Sequence, residues 1–188
     1  MDFFNTVKLK DKHFEQYIGK YELQSIIDGL ANQINHNYKH ITCDNPLIII
    51  AVLNGSFMFL ADLVKGLNIP CEIHFIKLSS YSGTETTGEI TQVFGLTKNI
   101  NNLNVLIVED IVDTGLTINK LYNQLLLQNP SSLNVCTLLY KKIKCHTDLH
   151  INYIGKEIED KFVIGYGMDY DNLGRNFDMI YSLIPDEF

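Results

Sequence analysis

The stretch "VLIVEDIVDTGLT", Val105 to Thr117, joins two unlike patterns. Val105 to Val108 form an apolar, mostly β-branched run of the kind that makes a strand buried on both faces. The run meets two adjacent carboxylates, Glu109 and Asp110. After Ile111 and Val112 come Asp113, Thr114, Gly115, Leu116 and Thr117, a polar turn opening into a helix. A buried strand that ends in three acids and then in small hydroxyl residues demands a reason.

The surrounding sequence alternates in the same way. Leu23, Ile26, Ile27, Leu30, Ala31, Ile34 and Tyr38 recur at helical spacing, which predicts an amphipathic helix over about 21–38. "LIIIAVL" (Leu47–Leu53) reads as a continuous apolar strand, broken by Asn54-Gly55-Ser56 and followed by a helix to about Leu67. "EIHFIKLSSY" predicts a strand ending at Tyr81, then a polar Gly/Thr-rich stretch and an extended piece around 90–96. A helix with Ile118, Leu121, Tyr122, Leu125 and Leu126 on one face follows the opening stretch. "LNVCTLLY", "KFVIGYGMD" and "MIYSLI" predict three further strands. The first 20 residues carry no interpretable motif.

Strands alternating with helices define an α/β fold, a mostly parallel twisted sheet flanked by helices. Such sheets bind ligands beyond the carboxyl ends of their strands, where strand order reverses. The polar oddities of this chain fall at those ends: Asn54-Gly55-Ser56, Ser80-Tyr81, Glu109–Thr117, Lys141 and the region of Asp169.

Composition narrows the partners. The formal charge of −7 argues against a broad nucleic-acid footprint, so any phosphate must be met by backbone N–H groups, a few cations and metal ions. Cys43, Cys71, Cys136 and Cys145 form no CxxC or zinc spacing and read as reduced, mostly buried thiols. "MDFFNTVKLK" lacks the order of a signal peptide, and "PLIIIAVL" is too short to span a bilayer. No membrane partner and a cytoplasmic location are expected. His146 and His150 share an i, i+4 spacing without HExxH, which is weak metal evidence.

The opening stretch has a chemical reading. A strand-to-helix turn aims successive N–H groups at an anion, Gly115 lets the backbone approach closely, and Thr114 and Thr117 offer hydroxyls. Asp113–Thr117 would therefore cradle one phosphate monoester. Glu109 and Asp110 suit sugar hydroxyls, or Mg²⁺ coordinated by them. The plainer alternative is a helix start capped by Asp113 or Thr114, but a cap needs no Glu-Asp pair on the strand before it.

"VLIVEDIVDTGLT" resembles the phosphoribosyl-pyrophosphate binding motif of the type I phosphoribosyltransferases. It is neither a Walker A loop nor a GxGxxG fingerprint. "VLNGSFMFLADL" (Val52–Leu63), "SSYSGTETTGEI" (Ser79–Ile90) and "KFVIGYGMDYDNLGRN" (Lys161–Asn176) are similar to the pyrophosphate loop, mobile lid and purine-binding segment of the hypoxanthine (guanine) phosphoribosyltransferases. The resemblance spans roughly Ile48 to Leu183. It implies a single domain over 1–188, with a small hood built from the N- and C-terminal segments and a lid carrying Ser80 and Tyr81. It also implies purine salvage: a 6-oxopurine takes the 5-phosphoribosyl group of phosphoribosyl pyrophosphate, with Mg²⁺, giving IMP or GMP and pyrophosphate.

Roles carry over residue by residue. Asn54 and Gly55 would bind pyrophosphate across a cis Leu53–Asn54 bond, with Asn54 standing where the family commonly has lysine, so that one positive charge is missing. Asp113 would be the proton partner of the purine N7. Glu109, Asp110, Ile111, Thr114, Gly115, Leu116 and Thr117 would line the phosphoribosyl site. Lys141 would donate to the 6-oxo group, Phe162 stack on the base and Val163 read its edge through the main chain. Arg175 would contact pyrophosphate, and Glu109, Asp110 and Asp169 would serve Mg²⁺. A homodimer or homotetramer is implied as well. Two other readings stay open on the sequence: a regulator that uses the fold without catalysis, and a transferase for another base such as xanthine or adenine.

Overall fold

The structure is a computed structural model and describes residues 6–80 and 90–185. Its larger sheet has six strands. In chain order they are β3 (Leu47–Leu53), β4 (Cys71–Ser80), β5 (Ile90–Phe94), β6 (Asn104–Val112), β7 (Ser132–Tyr140) and β8 (Tyr153–Glu157). Across the sheet the order is β5-β4-β3-β6-β7-β8. The five strands from β4 to β8 in that order are mutually parallel, and β5 runs antiparallel on the edge.

Helices α1 (Lys20–Asn37), α2 (Phe57–Lys65) and α3 (Leu116–Leu126) cover the sheet. The apolar run of β3 serves both faces, because side chains alternate along a strand. Ile49 and Ala51 pack with Leu23, Ile27, Leu30, Ile34 of α1 and Phe59, Leu63 of α2. Ile48, Ile50 and Val52 pack with Ile118, Leu121 and Leu125 of α3 on the other face. β6 divides likewise, Leu106 and Val108 to one side, Val105 and Ile107 to the other. This two-sided burial explains why both strands read as unbroken apolar runs.

The chain passes from β3 outward to β4 and β5, then returns to lay β6 on the opposite side of β3. Strand order reverses between β3 and β6, so their carboxyl ends, Leu53 and Val112, open on one crevice.

A second, antiparallel sheet has the order β1-β2-β10-β9, from β1 (Thr6–Leu9), β2 (Lys12–Ile18), β9 (Val163–Ile164) and β10 (Ile180–Leu183). Residues 6–18 supply two of its four strands; they are unreadable in sequence because only Phe14 and Ile18 along β2 are buried and the apolar alternation is faint. Phe14, Ile164 and Tyr181 form its own small core, while Ile18, Val163 and Ile180 join the main one.

Three sequence expectations need correction. "KFVIGYGMD" is a strand only at Val163–Ile164, because Gly165, Tyr166 and Gly167 take positive φ of 91°, 49° and 100° and turn the chain. Strand β8 was not expected, since Tyr153–Glu157 offers only one fully buried residue. Of the four free cysteines only Cys136 is fully buried, while Cys43 is exposed. Among the described residues no helix is long and apolar enough to cross a membrane.

Leu106 is fully buried at the centre of the sheet. Leu106→Ala is expected to lower the unfolding free energy by about 2–5 kcal/mol, read from urea denaturation.

Candidate active site

The crevice begins where β3 ends. The Leu53–Asn54 peptide bond is cis, at the position expected. Ser56 is buried, and its hydroxyl donates to the Val52 carbonyl at 2.5 Å, which folds the loop back on its own strand. Gly55 lies against β6: a Cβ there would sit 1.8 Å from Asp110 Oδ2. Gly167 lies against Gly55 in turn, and its Cβ would fall 1.9 Å from the Gly55 carbonyl oxygen. Three segments distant in sequence thus meet through two missing side chains. Asn54 is exposed at the rim.

Glu109 and Asp110 form the floor. Asp110 is buried, and Glu109 lines the crevice while its Oε2 is buried without a hydrogen-bond partner among the described residues. Burial, and then the neighbouring Asp110 charge, hold the Glu109 carboxyl well above its ordinary range. Burial also pushes Asp110 up, opposed by a hydrogen bond with Glu109 and by the charge of Arg175. Both carboxyls therefore hold a proton more tightly than they would in water.

Arg175 and Asp169, expected at pyrophosphate and metal, hold each other at 2.5 Å. Arg175 also donates to the Gly167 carbonyl at 2.7 Å, and Asp169 accepts from the Asn172 amide at 2.7 Å. The tight loop from Gly167 to Arg175 is what brings them together. No group of three or more metal-binding side chains occurs among the described residues.

Beyond β6 lies a cavity of about 160 Å³ lined by Glu109, Ile111, Asp113, Thr114, Gly115 and Thr117. The cap position of α3 is Gly115, at φ 79°, and no side chain caps the helix among the described residues. Neither Asp113 nor Thr114 is the cap, and the Thr114 hydroxyl is a long 3.4 Å from the Leu116 amide. Leu116 is half-exposed at the first turn. Helix N–H groups thus face the cavity mouth, an arrangement suited to an anion.

The fourth wall comes from β7 and the approach to β9. The Lys141 amide donates to the Val112 carbonyl at 3.0 Å, seating Lys141 beside Asp113. Its buried ammonium lies 3.4 Å from Asp113 Oδ2 and 3.0 Å from Asp160 Oδ1. Phe162 is 47% exposed, with its ring set against Phe14 and Tyr170 at centroid distances of 6.3 and 6.0 Å. Val163 is buried in β9. Asp160, Lys144 and Phe14 were not singled out by sequence, since no spacing rule links them to the motif. Ser80 is described only as backbone at the end of β4, and Tyr81 lies outside the described residues. His146 and His150 are exposed in the loop after β7.

The phosphoribosyl transferase domain profile matches residues 19–171, and the chain belongs to that family. Over 180 residues it is 38% identical to the hypoxanthine phosphoribosyltransferase of Haemophilus influenzae, covering 95% of this chain and 100% of that one. It is 39% identical over 167 residues to the hypoxanthine-guanine phosphoribosyltransferase of Mycobacterium bovis, covering 87% and 83% of the two chains. A solved structure of Trypanosoma cruzi hypoxanthine phosphoribosyl transferase superposes with a TM-score of 0.84 at 37% identity, covering 95% of each chain.

Two predictions test this geometry. Gly167→Ala forces a Cβ into backbone at positive φ, and should cost about 1–3 kcal/mol of stability, measured by urea unfolding. The second concerns Glu109. Its raised folded-state value means that the folded protein binds more protons than the unfolded one. Stability from this group is therefore present below the ordinary value of 4.5 and lost as pH rises through the raised value. In EDTA-treated protein without substrate, Glu109→Gln should raise stability at neutral pH, where the buried carboxylate is costly. Near pH ~4 it should change little; equal effects at both pH values would refute the buried-charge cost.

Proposed function

We propose that this protein is a purine-salvage transferase that moves the 5-phosphoribosyl group from phosphoribosyl pyrophosphate to hypoxanthine, and also to guanine. The observation that carries the reading is the pairing of Lys141 and Asp113 at 3.4 Å beside the open Phe162 ring. O6 and N7 of an oxopurine share one edge. A donor and an acceptor side by side, next to an aromatic platform, match that edge. Adenine would turn an amino donor toward the Lys141 donor, a mismatch.

The reaction forms a bond from purine N9 to the ribose C1 and breaks the bond from C1 to pyrophosphate. Positive charge develops on the sugar while negative charge leaves on pyrophosphate. Asp113 takes or shares the proton at N7. Asp113–Thr117 hold the 5-phosphate at the start of α3, and Glu109 and Asp110 take the ribose hydroxyls. N–H groups of the Leu53–Ser56 loop and the guanidinium of Arg175 receive the leaving pyrophosphate. Val163 reads the base through its main chain.

Mg²⁺ suits the donors present. Glu109, Asp110 and Asp169 offer hard oxygens, Glu109 Oε2 has no partner among the described residues, and Mg²⁺ usually takes one or two carboxylates and completes its shell with substrate oxygens and water. Bound there, it would neutralise charge on the pyrophosphate. For Asp169 to serve it, the ion pair with Arg175 must open, which frees Arg175 for phosphate.

The same reading treats 1–188 as one domain with the small antiparallel sheet as its hood, working in the cytoplasm as a homodimer or homotetramer. Sedimentation measures the last point.

Incubation with Mg²⁺, phosphoribosyl pyrophosphate and a panel of hypoxanthine, guanine, xanthine and adenine tests the function. Nucleotide should form from hypoxanthine and not from adenine. Binding without turnover of any oxopurine would overturn the enzyme reading. Asp113→Asn should cut kcat by about 10²–10⁴-fold, while phosphoribosyl pyrophosphate binding changes little. Equal loss in both would make Asp113 structural.

A further inference from the structure

Around the base edge four charges form a closed square. Lys141 Nζ lies 3.0 Å from Asp160 Oδ1 and 3.4 Å from Asp113 Oδ2. Lys144 Nζ spans the same two acids, 3.2 Å from Asp160 Oδ1 and 3.3 Å from Asp113 Oδ1. The four members are not equally placed. The Lys141 side chain is only 7% exposed, against 38% for Lys144, 42% for Asp113 and 55% for Asp160. A nearly buried ammonium needs a counter-charge far more than an exposed one does.

Asp113 cannot fill that need throughout the reaction. Its carboxylate must turn to the purine N7, and Lys141 must turn to O6, so their mutual contact is given up when the base arrives. Asp160 makes the shorter contact and has no such duty. Its backbone is anchored at the strand end that carries Lys141: the Ile158 amide donates to the Tyr140 carbonyl at 2.9 Å, and the Lys161 amide to Glu159 at 2.8 Å. The turn 141–145, closed by the Lys144 and Cys145 amides on the Lys141 carbonyl at 3.1 Å, returns Lys144 over the same acids. The two ammonium groups hold the Asp160 carboxyl below its ordinary range.

We infer that Asp160 is a positioning residue for base recognition: it is the standing counter-ion that holds Lys141 at the 6-oxo site while Asp113 is engaged with N7. It touches neither substrate. Asp160 also stands two residues before Phe162, so one short segment sets both the cation and the stacking ring of the base site. Lys144 is the exchangeable member, which leaves Asp113 when the base binds.

The inference rests on the base-site reading above and is tested apart from it. In the full-length protein, Asp160→Asn should raise the KM for hypoxanthine roughly tenfold. The KM for phosphoribosyl pyrophosphate and kcat should stay within about twofold of the parent, and Asp160→Glu should recover most of the loss. Inhibition by unsubstituted purine, which has no 6-oxo group, should be unchanged by Asp160→Asn, because Lys141 has nothing to donate to. A purely structural role would move all of these together and lower the thermal midpoint, and that outcome overturns the inference. So does a parent-like KM for hypoxanthine in Asp160→Asn. If the parent protein turns over no oxopurine, the functional reading falls and takes this inference with it.

Discussion

The parallel pairing of β3 with β6 is the constraint on which the site depends. From Ile48 opposite Val105 to Ala51 opposite Val108, the two strands run in register through the middle of the sheet. Each is buried on both faces, so a shift of one residue would turn core side chains to the wrong layer. The register fixes where each strand stops, and the strand ends carry the polar groups. It is why the turn at Gly55 meets Asp110 and not some other side chain. It also explains why Gly55 has no Cβ, since the carboxylate occupies that space. The Gly167 loop then closes onto Gly55 and brings Asp169 and Arg175 into the same crevice.

An acidic chain that handles a highly anionic donor must manage its charges locally. Each cation at the site stands against an acid: Arg175 against Asp169, Lys141 and Lys144 against Asp113 and Asp160. Glu109 and Asp110 have no cation of their own in direct contact among the described residues, and answer with raised proton affinity. The three cations, though not the Glu109–Asp110 pair, are thus matched internally. On the proposed reading, substrate binding exchanges these ion pairs for pairs with ligand, so the cations are matched before and after binding. The start of α3 presents a different kind of group. It offers backbone dipoles, which need no counter-ion and no side chain.

Sequence was a good guide where structure is written locally. The acids, threonines and glycine of Glu109–Thr117 are contiguous, and a strand end followed by a helix start has one way to present them. The burial of Leu47–Leu53 and of β6 followed from unbroken apolar runs. Sequence misled where glycine and tertiary contact decide the backbone. Val163–Met168 has strand-like composition, yet Gly165 and Gly167 turn it, and the second of them is needed against Gly55. The N-terminal strands and β8 were invisible because each buries too few residues to print a period.

The sequence alone determined the strands and helices between Lys20 and Tyr140 and the run of acids, threonines and glycine at Glu109–Thr117, because each depends on neighbours within a few residues. Only the tertiary structure decided how those parts complete one another. Asp160 lies 19 residues from Lys141 along the chain, and Phe14 lies almost 150 from Phe162; nothing local links either pair. Their meeting is set by which strands lie side by side, and that follows from burying both faces of the sheet at once.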